Sequence, residues 1–361
     1  VPTPPGGNKL RKVCHLATAV LARSVAKRPP RQRKPACAPC KQQTACQLPD
    51  ASDPGDRLTY LLFLVGLAGL VAGGELLVRG ASSIARAFHL SPMLIGLTIV
   101  GFGTSAPELI VSVQAALEGK PGIAIGNVLG SNIGNTLLIL GASALLAPLI
   151  IPGRKLWRDL FFMLAATAAI WVMLLDGTVT RLDGFLLIAG LLAFLVTAFI
   201  AGSGHPPEGG AEPSGPAWKP WVITGAGLVL LVIGARFLVD SATMIARDFG
   251  ISEAVIGLTI VAVGTSLPEM ATSIIAAFRK HTEIAVGNIV GSNIFNIFGI
   301  LGITALLTPI PAEARFAAID MPWVAASAVG LTVVAFVLGG LPRIAGIGLL
   351  AAYGGYIWLL G

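Results

Sequence analysis

The chain contains two copies of one pattern. Residues 96–109 read GLTIVGFGTSAPEL and residues 257–270 read GLTIVAVGTSLPEM, an offset of 161 with ten of fourteen positions identical. Residues 126–141, GNVLGSNIGNTLLILG, return at 287–302 as GNIVGSNIFNIFGILG, again offset by 161 and with ten of sixteen identical. Upstream the match continues without a gap, pairing Ile84-Ala85-Arg86 with Ile245-Ala246-Arg247. Self-similarity at a fixed offset restricts the fold before any other signal does, and here it requires two homologous halves. Between them, residues 202–220 are rich in Gly and Pro and read as a loop.

Composition says what the halves sit in. Hydrophobic residues make up 55% of the 361 and charged residues only 12%, against roughly 25% charged in soluble domains. The apolar residues form long blocks, such as Leu58–Val78, Leu160–Leu175 and Phe185–Ala201. About 20 such residues cross a bilayer core as a helix. Spans are predicted at 58–78, 92–115, 122–147, 157–175 and 183–202, then at 220–240, 253–278, 284–308, 320–339 and 343–360. The expected fold is an all-α membrane protein of ten transmembrane helices. Five spans per half is an odd number, so the second half enters the membrane upside down. Inverted repeats of this kind are usual in alternating-access transporters, with the ion site at mid-membrane where they meet.

The expected organisation is a basic, disordered N-terminal extension (1–57), a first repeat (58–202), a short cytoplasmic linker (203–219) and a second repeat (220–361). Loop charges orient it. Arg79, Arg86, Arg154, Lys155, Arg158, Lys219, Arg279, Lys280 and Arg343 fall on one side; Lys120, Arg181, Arg236, Arg247 and Arg315 fall on the other. The positive-inside rule places the richer side in the cytoplasm. The net charge of +7 belongs entirely to residues 1–56, because the remainder is neutral. That argues against a nucleic-acid-binding body. The same segment holds Cys14, Cys37, Cys40 and Cys46; no second CxxC or spaced His pair completes a metal site around them.

Glu108 lies in an apolar span and Glu269 is its repeat partner. An ionised carboxylate at the bilayer centre costs at least about 2.5 kcal/mol, and neither motif supplies a Lys or Arg to offset it. Bound cations answer that cost; hydrogen-bonding between helices is the plainer alternative. Thr104 and Ser105 precede Glu108 by four and three residues, so all three can share a helical face. Pro107 and Pro268 leave the carbonyls of Gly103 and Gly264 without a helical donor, which is acceptable in a membrane where such carbonyls line a cavity. Ser131 with Asn135, and Ser292 with Asn296, stand four apart and project oxygens from one face. Gly126, Gly130 and Gly134 read as helix-packing positions. Asn127, Asn132, Asn288 and Asn293 read equally as ligands or as backbone braces. Every donor is oxygen, which disfavours zinc, copper and iron and suits calcium.

At these residues the chain closely resembles the cation/calcium exchanger superfamily, specifically its prokaryotic sodium/calcium exchangers. GTSAPE (103–108) with GSNIGN (130–135), and GTSLPE (264–269) with GSNIFN (291–296), are similar to that family's two α-repeats. The resemblance covers residues 58–361 and implies ten helices and alternating access. It implies side-chain ligands at Thr104, Ser105, Glu108, Ser131 and Asn135, and at Thr265, Ser266, Glu269, Ser292 and Asn296, with backbone carbonyls at Gly101 and Ala262. Some family members carry Asp where Asn296 stands, so potassium co-transport is not expected.

The function expected is exchange of Na⁺ for Ca²⁺ across a prokaryotic cytoplasmic membrane. The chain would be a non-enzyme without cofactor, a monomer or weak homo-oligomer in the lipid bilayer. A H⁺/Ca²⁺ exchanger of the same superfamily is the alternative. An intramembrane protease would need a paired Asp or a Ser–His couple within the membrane; His89, His205 and His281 fall in predicted loops and His15 in the tail.

Overall fold

The computed structural model of the chain describes residues 54–151, 153–202, 216, 218–251 and 262–360. Most of the basic extension, its four cysteines, most of the linker and the opening of the span expected at 253–278 lie outside the described residues. The helices are α1 (Pro54–Ala87), α2 (Pro92–Thr104), α3 (Ala106–Leu117), α4 (Pro121–Leu146), α5 (Gly153–Leu175) and α6 (Arg181–Gly202). They continue as α7 (Lys219–Asp248), α8 (Ala262–Gly264), α9 (Leu267–Phe278), α10 (Thr282–Leu307), α11 (Phe316–Val337) and α12 (Arg343–Leu360).

Among the described residues, eight of these helices are long and apolar enough to cross a membrane. Helices α2 and α3 reach that length and apolarity only together, and they are bent by 44° at the break between them. Exposed apolar residues such as Leu64 on α1, Phe199 on α6 and Trp358 on α12 face outward, as lipid contact requires, while α10 is buried almost continuously from Ile284 to Gly302. The protein is an all-α membrane protein in its architecture.

Two helices outrun the spans expected at 58–78 and 220–240. Helix α1 continues to Ala87 because Ala81, Ile84 and Ala85 keep an apolar face buried after the fully apolar run has ended. Helix α7 continues to Asp248 with Ser241 and Ala246 buried in the same way. An amphipathic extension is visible to helical periodicity but not to a hydropathy run.

Helices α1 and α7 cross at glycines. A Cβ on Gly66 would stand 2.6 Å from Leu238 N, one on Gly73 2.7 Å from Leu231 N, and one on Gly80 2.3 Å from Thr224 Oγ1. Numbers rise along α1 as they fall along α7, so the two helices run antiparallel. Gly227 and Gly234, the repeat equivalents of Gly66 and Gly73, occupy the same seam at 2.5 Å from Leu77 N and 2.8 Å from Leu70 N. Small residues allow such backbone approach in membranes.

Among the described residues, four two-residue strands are an addition to the all-helical expectation. β1 (Leu149–Ile150) pairs antiparallel with β4 (Gly340–Leu341), and β2 (Thr178–Val179) with β3 (Ile310–Pro311). Pro148, Pro309 and Pro342 flank three of the four and favour extended backbone in the residues before them. β1 corresponds to β3 at the offset of 161 and β2 to β4 at an offset of 162, so each pair joins the two halves and each is the other's counterpart.

A candidate cation site at the crossing of the two motifs

Each motif breaks its helix at the serine before its proline. Ser105 takes φ −83°, ψ 7° between α2 and α3, and Ser266 takes φ −87°, ψ 7° before α9. Proline fits in the first turn of the helix that follows, where its missing N–H costs nothing. Glu108 and Glu269 then sit in the first turns of α3 and α9, where a helix N-terminus favours negative charge. Both carboxylates are 1% exposed.

The break changes the expected partnership. Thr104 and Ser105 do not share one helical face with Glu108; the hydroxyls cross to the other half. Ser105 Oγ donates to Glu269 Oε1 at 2.8 Å, and Ser266 Oγ donates to Glu108 Oε1 at 3.1 Å. Thr104 Oγ1 lies 3.1 Å from Asn288 Oδ1. Ser292 Oγ donates to the Gly101 carbonyl at 3.1 Å, and Ser266 Oγ reaches Ser131 Oγ at 3.4 Å. Thr265 occupies the bend between α8 and α9, and Ala262 opens α8.

Four asparagines that the sequence left open turn out to be braces. Asn127 Nδ2 donates to the Glu108 carbonyl (3.2 Å) and Ser112 Oγ (2.9 Å). Asn288 Nδ2 does the same for the Glu269 carbonyl (3.3 Å) and Ser273 Oγ (2.8 Å). Asn132 Nδ2 donates to the Asn293 carbonyl, and Asn293 Nδ2 to Thr136 Oγ1. The amide nitrogens of Asn135 and Asn296 are also spent, on Asn293 Oδ1 (3.1 Å) and Asn132 Oδ1 (3.0 Å).

This network leaves four buried oxygens unspent. Glu108 Oε2, Glu269 Oε2, Asn135 Oδ1 and Asn296 Oδ1 are buried and have no hydrogen-bond partner among the described residues. A buried polar atom left unsatisfied costs about 1–3 kcal/mol, more when charged. Four such acceptors from two carboxylates and two amides suit a hard cation, which asks only for oxygens. The side chains named at the site offer carboxylate, hydroxyl and amide oxygens rather than the sulfur or imidazole that soft metals prefer.

The two sides of the site differ. Phe102 stacks on Phe295 with ring centroids 4.3 Å apart where α2 meets α10. Their repeat equivalents are Val263 and Gly134, and there the structure has a cavity of about 30 Å³ lined by Ser131, Gly134, Val263, Ser266, Met270 and Tyr353. That is room for about one water.

The profile of the sodium/calcium exchanger protein family matches residues 58–200 and 219–361, most of the chain. The chain belongs to the sodium/calcium exchanger family. CaxA of Alkalimonas amylolytica is 42% identical over 311 residues, covering 83% of this chain and 98% of that protein. The sodium/calcium exchanger MaX1 of Methanosarcina acetivorans is 32% identical over 294 residues, covering 70% of this chain and 84% of that one. The solved structure of the sodium-calcium exchanger NCX_Mj superposes with a TM-score of 0.75 at 34% identity, covering 85% of this chain and all of NCX_Mj. As a member of that family the chain is a cation/calcium antiporter and not an enzyme.

Sequence reading overlooked the hydroxyl anchors Ser112 and Ser273, although they are repeat equivalents. It also overlooked Asp159 and Asp320, another equivalent pair, buried at 1% and 3%. Asp159 pairs with Arg158, and Asp320 accepts from Tyr356 at 2.8 Å. The offset of 161 would have found all four. For the braces, Asn288→Ala is expected to weaken calcium affinity about tenfold, the low end for losing a group that orients a metal ligand. The KM for calcium in proteoliposomes checks it; an unchanged KM would show that the Glu269 backbone needs no such anchor.

Proposed function

We propose that the chain exchanges Na⁺ for Ca²⁺ by alternating access, through the site where the two motifs meet. The observation that carries this reading is the set of four unpartnered, buried oxygens, two of them carboxylate, contributed equally by both halves. Two carboxylates neutralise one Ca²⁺ or offset much of the charge of several Na⁺. Either load makes the buried pair tolerable in a low-dielectric surround, whereas the empty, doubly charged site is costly to carry across. Exchange follows from that difference, because the protein moves readily only when loaded.

The ligand set proposed is Thr104, Ser105, Glu108, Ser131 and Asn135 with the Gly101 carbonyl, and Thr265, Ser266, Glu269, Ser292 and Asn296 with the Ala262 carbonyl. The architecture proposed is ten transmembrane helices in two inverted five-helix repeats, bounded at 58–202 and 220–361 with a linker at 203–219. The antiparallel crossing of equivalent helices α1 and α7 supports it. The two strand pairs that exchange under the repeat support it as well. The membrane proposed is a prokaryotic cytoplasmic one, and loop charge supports an orientation with α1's C-terminal end on the cytoplasmic side.

A H⁺/Ca²⁺ exchanger would use the same acids, protonated in place of bound sodium. In purified proteoliposomes, an imposed Na⁺ gradient at uniform pH is expected to drive ⁴⁵Ca²⁺ uptake, and a pH gradient without Na⁺ is not. Uptake driven by pH alone would transfer the coupling to protons.

A further inference from the structure

At one face an ion cluster ties α1 to the end of α9. Arg279 Nε donates to Glu75 Oε2 at 3.0 Å, Arg279 Nη2 lies 2.8 Å from Glu75 Oε1, and Arg79 engages the same carboxylate. The seam behind it is closed: a Cβ on Gly74 would stand 2.5 Å from Ile275 Cδ1 and 3.5 Å from the Ala271 carbonyl. His281 stands nearby, and burial together with Arg86 holds its imidazole below the usual range, so it adds little charge to the cluster.

The repeat reverses every charge in this cluster. An offset of 161 carries Glu75 to Arg236, Arg79 to Asp240, and Arg279 back to Glu118. Complementarity between the two helix ends survives while each sign is inverted. Because α1 and α7 run antiparallel, the second set lies at the opposite face from the first.

In the structure the second set is apart. Helix α3 makes no seam with α7 comparable to that of α9 with α1. Ile110 is 57% exposed and Gln114 is exposed, whereas their equivalents Ala271 and Ile275 are half-buried. Arg236 and Asp240 are exposed, and neither is ion-paired to Glu118. Glu118 is held locally instead, accepting from Lys120 Nζ and Gln114 Nε2, each at 2.9 Å. The hydrogen bond from Lys120 draws its carboxyl below the usual range, and the pair is exposed, so its hold on Glu118 is weak.

We propose that Glu75–Arg279 and Glu118–Arg236 are alternating latches, each holding one face of the transporter closed, and that the first is engaged in this structure. The proposal rests on the alternating-access reading, in which one bundle rocks against another around a fixed site. Exposed ion pairs are weak, so each latch biases the equilibrium rather than locking it. Loss of one shifts the populations by a differential interaction present in a single state.

The test uses full-length protein with Cys14, Cys37, Cys40 and Cys46 replaced by Ser, carrying Ile110→Cys and Ala235→Cys. These positions are the equivalents of Ala271 and Gly74, which the closed seam brings into contact, and a disulfide reports the same closure at the other face. Glu75→Gln is expected to raise the disulfide yield about two- to fivefold, and Glu75→Arg with Arg279→Glu to return it to the starting value. A disulfide formed equally with and without Glu75→Gln would overturn the latches while leaving alternating access intact. No disulfide in any background, even with saturating Na⁺ or Ca²⁺, would overturn both.

Discussion

Glu108→Gln and Glu269→Gln should each reduce calcium exchange by at least about 100-fold, a loss near 2.7 kcal/mol in transition-state terms, while the protein still inserts and purifies as a folded species. The size follows from the site's composition. Two carboxylates supply its formal charge; the remaining donors are hydroxyls, amides and carbonyls. Gln keeps the shape and can still accept from Ser266 or Ser105, so the fold is spared, but half the charge that compensates Ca²⁺ disappears. The two variants should behave alike, because the two acids have equivalent surroundings: helix N-termini, a serine from the opposite half, and an asparagine on the backbone carbonyl. ⁴⁵Ca²⁺ uptake into proteoliposomes checks both. Full activity in either variant would remove that acid from the site.

Gly291→Ala should be the most damaging of the small substitutions. A Cβ there would stand 2.1 Å from the Leu97 carbonyl oxygen and 2.6 Å from the Leu97 Cα. Both are backbone, inside buried helices, and neither can rotate away. Overpacking of a tight core costs typically about 1–3 kcal/mol and sometimes more. Here the displaced residues also build the site, since Ser292 next in sequence donates to the Gly101 carbonyl. Loss of transport with a lowered melting temperature in detergent is expected. Wild-type activity and stability would mean that α2 and α10 do not approach as closely as described.

The sequence read Gly126, Gly130 and Gly134 as helix-packing positions, but a Cβ on Gly130 or Gly134 would meet nothing within 4 Å and both line the cavity, while the close helix approaches fall at Gly66, Gly73, Gly227, Gly234 and Gly291. Its repeat exposed Glu108, Glu269 and the polar residues around them, because a charge in an apolar run has few explanations. The fold class was legible for the same reason: a bilayer dictates helix length and leaves little choice of secondary structure. Less legible was which half serves which acid. Helical spacing put Ser105 beside Glu108, but the proline break turns that hydroxyl onto Glu269, and no local pattern reports a contact between residues 164 apart. The role of Asn132 and Asn293 was hidden likewise, since a brace and a ligand have the same chemistry until their partners are seen. Helix ends at Ala87 and Asp248 were missed where burial of one face outlasted bulk hydropathy.

The claim beneath all of this is that Ca²⁺ sits among oxygens donated by both halves. Crystals grown with Ca²⁺, examined by anomalous diffraction, test it directly. A single strong peak within about 2.3–2.6 Å of oxygens from both Glu108 and Glu269 is the result expected. A peak bound by one acid alone, or a Ca²⁺ site elsewhere in the molecule, would contradict it.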